Sequence, residues 1–351
     1  MRPIRHLPLT PQALKRRVLR AVARRRRAQR EATLPLGMLD LGRSDVELRA
    51  ARKIERIYHQ GQSLAWEGRK VLEGLLEAHG GVQLAEGARA PIQHIFAIIL
   101  WGELAAWKAS ARLAAELVPM DAKMAATSQA HDEARHFYVM HDYLRELGEV
   151  PRAPGGQPER LLHRVLTADH PAKLLLGMQL IVEPLALTLF SLVRRRGVDP
   201  VLDDLLVYYE RDEARHVALG VLYLPEVLRK MGPLEQADLA QWQLRSYLLQ
   251  FEILEEIAPH LRELGIDPRE AMRLARKKQV QATQLLAEEI GRGLPVTEVF
   301  LRVVDFKAEL TFPADERPRG RLGRTLSALG AATFGLERDH ALGQGLKRAA
   351  L

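Results

Sequence analysis

The chain reads as an all-α protein: a four-helix bundle with additional N- and C-terminal helices. Three observations predict this. No segment of any length alternates apolar and polar residues at strand period. Ala, Leu, Arg and Glu, all favourable in helices, dominate the composition, and aromatics make up only 5%. A helix-spaced pentapeptide, Asp-Glu-Ala-Arg-His, occurs at Asp132–His136 and again at Asp212–His216. Each copy follows a glutamate thirty positions before its own Glu, Glu103 for Glu133 and Glu183 for Glu213. Two helices of about fifteen residues and a turn span that offset and return the second glutamate beside the first.

The elements follow in order. Residues 1–45 form a basic arm, with Leu14, Val18 and Val22 as a thin apolar stripe at helical spacing. Residues 46–80 read as one charge-rich helix ended by Gly80-Gly81. Pro91 suits the first turn of the first bundle helix, which runs to Leu117. Pro119 opens the second, over 120–147, and Gly148 closes it. Three prolines and two glycines make 150–158 a loop, and a short helix over 159–168 precedes the break at Asp169-His170-Pro171. The third bundle helix spans 172–196. Its Pro184 removes the hydrogen bond to the Leu180 carbonyl and predicts a kink directly after Glu183. The fourth runs from Pro200 to about 230, with Pro225 inside it. Further helices are expected over 233–264, 268–292 and 295–311. The tail from 312 to 351 is rich in Pro, Gly and Arg, with a weak helix near 322–333. A single helical domain over 46–311 is the expected organisation.

Composition excludes several chemistries. The chain has 351 residues, enough for a sizeable core, and no cysteine. Disulfides, zinc–thiolate sites, iron–sulfur clusters and a thiol nucleophile are thereby ruled out. Leu174–Val193 is apolar enough for a membrane span but carries Gln179, Glu183 and Pro184 near its middle, which fits a buried core helix better. With no signal peptide evident, the cytoplasm is the expected compartment. The net charge of +8 is concentrated: residues 1–30 hold eleven Lys or Arg and no acid. Such an arm fits a solvated tail, nucleic-acid phosphates, an anionic membrane surface or an acidic carrier protein.

The chemistry lies in the repeat. Residues three apart on a helix project about 60° from one another, so Glu133 and His136 can reach one metal, and Glu213 and His216 another. One Glu-x-x-His carries little information, since Glu337 and His340 form a third in the glycine-rich tail. The duplicated pentapeptide with matched upstream glutamates carries much more. Four helices then present Glu, Glu-x-x-His, Glu, Glu-x-x-His, the ligand supply of a two-metal carboxylate site.

This pattern, over roughly residues 90–230, resembles the ferritin-like di-iron carboxylate superfamily, whose members include oxygenases, desaturases, reductase small subunits and ferritins. The resemblance implies that Glu133 and Glu213 bridge two metals, that Glu103 and His136 complete one, and that Glu183 and His216 complete the other. Oxygen and imidazole ligands suit two Fe ions, or Mn with Fe, reacting with O2. Asp132 and Asp212 would orient the imidazoles and Arg135 and Arg215 would neutralise them. Residues one turn from the ligands, Ile99, Trp107, Gln129, Met140, Gln179, Leu187 and Tyr209, are candidates to line a pocket.

Branch markers are missing. Met140 stands where reductase subunits carry a radical tyrosine. Ala186 and Leu187 stand where many monooxygenases carry a threonine, and Tyr209 where arylamine N-oxygenases carry a further histidine. The expected function is a di-iron oxygenase or oxidase that hydroxylates, desaturates or N-oxygenates an apolar or aromatic substrate. Its electrons would come from an external reductase, and it would work as a homodimer. The alternatives are a ferroxidase and a reductase-small-subunit-like redox protein.

Overall fold

The computed structural model describes residues 45–148, 150, 155–290, 295–313 and 320–334. Among these residues there is no strand. Twelve α-helices are present: α1 (Asp45–Ser63), α2 (Gly68–His79), α3 (Glu86–Glu116), α4 (Met120–Glu146), α5 (Gly156–Leu166), α6 (Pro171–Gly177), α7 (Glu183–Arg196), α8 (Pro200–Arg229), α9 (Pro233–Glu263), α10 (Pro268–Ile290), α11 (Pro295–Thr311) and α12 (Arg321–Phe334). A π-helical turn, Met178–Val182, joins α6 to α7 without a break. The basic arm and the Glu337–His340 pair lie outside the described residues.

Five helices begin at a proline, where the missing N–H would have had no intrahelical partner. Three of these have side-chain caps, and in α10 Asp267 accepts from the Arg269 amide at 2.9 Å. His170 accepts from the Ala172 amide before α6, and Asp199 from the Leu202 amide before α8. Asp199 is fully buried and also takes bonds from the Gln83 amide and the Tyr143 hydroxyl, at 2.8 and 3.0 Å. One carboxylate thus starts α8 and ties it to α4.

The bundle is α3, α4, the π turn with α7, and α8. The α3 and α4 helices pair along their length, as do α7 and α8. Their facing sides are apolar, with Ile92, Ile95, Phe96, Leu113, Phe190, Val193, Leu205 and Leu206 nearly or fully buried. The remaining helices clad this core: α1 and α2 lie on α4 and α8, α9 on α3, α5 and α6, and α10 on α7 and α8. The α11 helix packs on α9, and α12 on α11. Two helical stretches, Glu86–Glu116 and Pro171–Arg196, match a membrane span in length and hydropathy. In the second, 78% of the most apolar window is buried inside the fold, as expected of a core helix around Glu183.

Two expectations need correction. The helix expected over 46–80 is two helices, divided at residues 64–67. Glu67 leaves helical geometry to cap α2, accepting from the Lys70 amide at 2.6 Å. Gly68 then packs so tightly on α4 that a Cβ there would sit 2.3 Å from Val139 Cγ2. The first bundle helix also starts earlier than Pro91, at Glu86, so the proline is its sixth residue and the helix tolerates one missing bond.

Gly68→Ala is expected to lower unfolding stability by about 1–3 kcal/mol through overpacking. Gly74 in the same helix has nothing within 4 Å of its would-be Cβ. Gly74→Ala should raise stability by about 0.5–1 kcal/mol by removing backbone freedom from the unfolded chain. Urea unfolding of both variants checks the pair of opposite signs.

Candidate metal centre

The four bundle helices bring the repeat together. Glu103 comes from α3, Glu133 and His136 from α4, Glu183 from the start of α7, and Glu213 and His216 from α8. All six are buried. Two overlapping sets emerge, Glu103–Glu133–His136–Glu213 and Glu133–Glu183–Glu213–His216. Within each set, one ligand atom per residue lies within 4.8 Å of all the others. Glu133 and Glu213 belong to both, the position of bridging carboxylates.

The imidazoles present the same edge to the cluster. His136 Nδ1 lies 3.4 Å from Glu103 Oε2, 3.4 Å from Glu133 Oε2 and 3.3 Å from Glu213 Oε1. His216 Nδ1 lies 3.1 Å from Glu133 Oε1 and 3.0 Å from Glu213 Oε2. Glu133 Oε2, His136 Nδ1 and Glu213 Oε1 are buried without a hydrogen-bond partner. Leaving such atoms unpaired away from water is costly, and a cation between them would satisfy all three. The donor set, oxygen and imidazole without thiolate, fits iron or manganese.

Behind the imidazoles, Asp132, Arg135, Asp212 and Arg215 close a ring of alternating charge. Arg135 Nη2 donates to Asp132 Oδ1 at 2.5 Å and to Asp212 Oδ2 at 2.8 Å. Arg215 Nη2 reaches Asp132 Oδ2 at 3.0 Å and Asp212 Oδ1 at 2.9 Å. The ring is crossed with respect to the motifs. Asp212 faces His136 Nε2 at 3.2 Å, and Asp132 faces His216 Nε2 at 3.4 Å. Each imidazole is therefore held by the aspartate of the other motif, which turns its Nδ1 toward the cluster. Removing one member of such a buried ring costs about 3–5 kcal/mol.

Electrostatics follow from burial against this charge pattern. Burial raises Glu103 and Glu183 well above the ordinary carboxyl range, and the Glu213 charge raises Glu183 further. Burial pushes His136 and His216 down, but carboxylates on both edges outweigh it. The hydrogen bond to Asp212 and the carboxylates facing Nδ1 raise His136, the charges of Glu133 and Glu213 raise His216, and both end well above the usual imidazole value. For Asp212, burial would raise the carboxyl, yet the hydrogen bond with His136 holds it below the usual range.

Several contacts were not readable from the motif. Trp66, in the turn between α1 and α2, donates from Nε1 to Asp212 Oδ2 at 2.7 Å. The Arg135 guanidinium lies 4.7 Å above its ring. Only the composition of the 64–67 break, a tryptophan beside a capping glutamate, signals it in sequence.

The pocket expectation needs correction. A small apolar cavity of about 50 Å³ is lined in part by Glu103 and Glu183. Its walls include Ile95, Ile99, Ala106, Leu161, Ala186 and Ile257 from α3, α5, α7 and α9. Ile99 lines it, but Gln129, Met140, Gln179, Leu187 and Tyr209 do not. The cavity lies among α3, α5, α7 and α9, whereas Gln129, Met140 and Tyr209 sit on α4 and α8. Gln129 instead donates to Glu133 Oε1 at 2.9 Å and Glu183 Oε1 at 3.1 Å, and Gln179 donates to Gln129 Oε1 at 3.0 Å. Tyr209 stacks on His136, with centroids 4.3 Å apart, and donates to its carbonyl at 2.6 Å. Met140 and Leu187 pack in the core. Trp107 is 41% exposed and faces an outer groove with Trp66, Phe137 and Tyr138.

No family model matches the chain, and no curated protein matches it in sequence. Among solved structures it is similar to "Protein 19 with aldehyde deformylating oxidase activity from Synechococcus", at a TM-score of 0.52 and 18% identity, over 62% of this chain and 97% of that one. The fold is ferritin-like. A variant of an R2-like ligand-binding oxidase with aerobically reconstituted Mn/Fe cofactor aligns with 76% of this chain and 94% of its own, at a TM-score of 0.39 and 15% identity.

Protons and metal compete for this cluster. Without metal, His136, His216, Glu103 and Glu183 bind protons more tightly in the folded state than in the unfolded one. Their contribution is fully present at low pH. For the glutamates it fades as pH rises above the ordinary carboxyl range, and for the imidazoles above about 6.5. Metal-free protein is therefore expected to lose stability from about pH 6.5 upward. Bound metal displaces those protons, so apparent Fe(II) affinity should rise over the same range. Denaturant midpoints with and without chelator, across pH 6–9, check the opposed slopes.

Proposed function

We propose that the chain is a di-metal oxidase or oxygenase acting on a slender aliphatic substrate. The observation that carries this reading is the pair of ligand sets sharing Glu133 and Glu213, next to an apolar cavity lined in part by Glu103 and Glu183. Glu103, Glu133, His136 and Glu213 would hold one metal, and Glu133, Glu183, Glu213 and His216 the other. When bound, such a pair, as Fe/Fe or Mn/Fe, supplies electrons to reduce O2 and a strong oxidant for an unreactive C–H or C–C bond.

The chain's own residues set the conditions for that chemistry. The Asp132–Arg135–Asp212–Arg215 ring fixes both imidazoles with Nδ1 inward. Gln129 holds Glu183 and Glu133 through one amide, restricting how the terminal carboxylate moves. Ile95, Ile99, Ala106, Leu161 and Ile257 exclude water from the approach, which protects a reactive oxidant from side reactions. A cavity this small, lined by aliphatic carbon with hardly any polar surface, suits an unbranched saturated chain better than an aromatic ring. The aldehyde deformylating oxidase activity of the similar Synechococcus protein supports an oxidase acting on an organic substrate. Storage of iron needs no such apolar approach, which argues against the ferroxidase alternative. Electrons would come from an external reductase, and the basic arm at residues 1–30 is the proposed contact for an acidic carrier or anionic surface.

The test is anaerobic loading with Fe(II), then O2 with saturated aldehydes, acids or alcohols of graded chain length. Oxygen consumption that depends on chain length is expected. Rapid multi-turnover iron oxidation to a mineral, indifferent to added chains, would overturn the reading. Gly102 lines the cavity and has no atom within 4 Å of a would-be Cβ. Gly102→Leu should therefore fill the approach, lowering kcat/KM for the longest chains at least tenfold while leaving metal content unchanged.

A further inference from the structure

Pro184 has no N–H, and directly before it the backbone widens into the π turn Met178–Val182, closed by a bond from the Glu183 amide to the Met178 carbonyl. The turn presents two side chains to the cluster: Glu183, and Gln179 through Gln129. A π turn in a continuous helix is less favourable than α geometry, so something must hold it.

Two flanks do so. On one side is Gly220 of α8, where a Cβ would stand 2.7 Å from Gln179 Cβ, so glycine alone lets the turn bulge toward α8. On the other, the Ile181 carbonyl accepts a 2.6 Å bond from Gln250 Nε2 on α9 and a longer one, 3.5 Å, from Gln279 Nε2 on α10. The Tyr247 hydroxyl donates to Gln279 Oε1. Gln250, Gln279, Tyr247 and Ile181 are all buried. A buried glutamine amide aimed at a main-chain carbonyl in the interior of another helix has no role in that helix's own ladder. It gives a carbonyl inside the π turn a donor from a different helix, one turn from the proline that lacks an N–H.

We infer that Gln250 is a positioning residue: its bond to the Ile181 carbonyl latches the π turn, and so fixes Glu183 and Gln179 at the metal centre. The inference rests on the di-metal reading. It also gives α9 and α10, helices outside the bundle, a direct part in the site. Of the two ligand sets, only one takes a ligand directly from the end of the turn, Glu183.

The experiment uses the full-length chain and Co(II) as the probe. Wild type should bind two Co(II). In Gln250→Met, similar in length but without a donor, one Co(II) should bind with wild-type affinity and the second at least tenfold more weakly. Amide hydrogen exchange of the metal-free variant should quicken at least tenfold within 178–183 and stay unchanged across α4. Gln250→Asn keeps the amide but is one methylene short, and should give an intermediate loss of the second metal; it serves as the test if the Met variant does not fold. Two equal Co(II) affinities in a variant, or an exchange change spread evenly over the bundle, would overturn the latch while leaving the di-metal reading intact. If wild type itself bound no Co(II) pair, or if Glu133→Ala and Glu213→Ala still bound both ions, the di-metal reading would fail instead.

Discussion

Four carboxylates, Glu103, Glu133, Glu183 and Glu213, converge in the buried interior, and like charges at such distances repel strongly in a medium of low polarity. Much of the architecture answers this. Two imidazoles stand between the carboxylates, two guanidiniums balance the aspartates behind them, and the unpartnered oxygens point where a dication pair would sit. The same constraint accounts for the protonation behaviour of the cluster, because a bundle that must neutralise this charge without metal does so with protons. Folding and metal binding are linked through one set of groups.

The scaffold around the cluster divides the work. The α4 and α8 helices carry the Asp-Glu-Ala-Arg-His copies and supply both bridges and both imidazoles. The α3 and α7 helices contribute one carboxylate each and leave small or aliphatic side chains beside it, and the cavity lies against them. The α5 and α9 helices complete the apolar wall. Helices beyond the bundle thus shape access on one side and, through Gln250, hold backbone on another.

The four-helix core, most helix boundaries and the six clustered side chains were legible in sequence because helical period and fixed spacing encode them directly. Pro184 likewise announced a disturbance at Glu183, though not that a π turn would absorb it. What was not legible depends on which helices face each other. The crossing of Asp132 to His216 and Asp212 to His136 depends on how α4 and α8 face each other, which no spacing within either helix specifies. Trp66 reaches Asp212 from 146 positions away, through a break that charge periodicity across 46–80 conceals. The pocket residues follow from stepping one turn from every ligand, whereas the cavity at Glu103 and Glu183 is walled by α3, α5, α7 and α9.

The crossed pairing has a consequence for symmetry. Exchanging the segment 103–136 with 183–216 maps the ligands, the aspartates and the arginines onto one another and preserves the crossed Asp–Arg and Asp–His contacts in kind, although His136 pairs with Glu103 and His216 has no such ion pair with Glu183. A two-helix unit associating with its own copy would satisfy the whole charged centre, so nothing in the duplicated motif distinguishes one metal position from the other. The distinction comes from residues outside it: of the two aspartates Trp66 bonds Asp212 alone, Gln129 occupies the place that Tyr209 holds on the opposite helix, and the π turn lies beside Glu183 alone. Two chemically different metal positions are thus imposed on a symmetric core by its asymmetric surroundings.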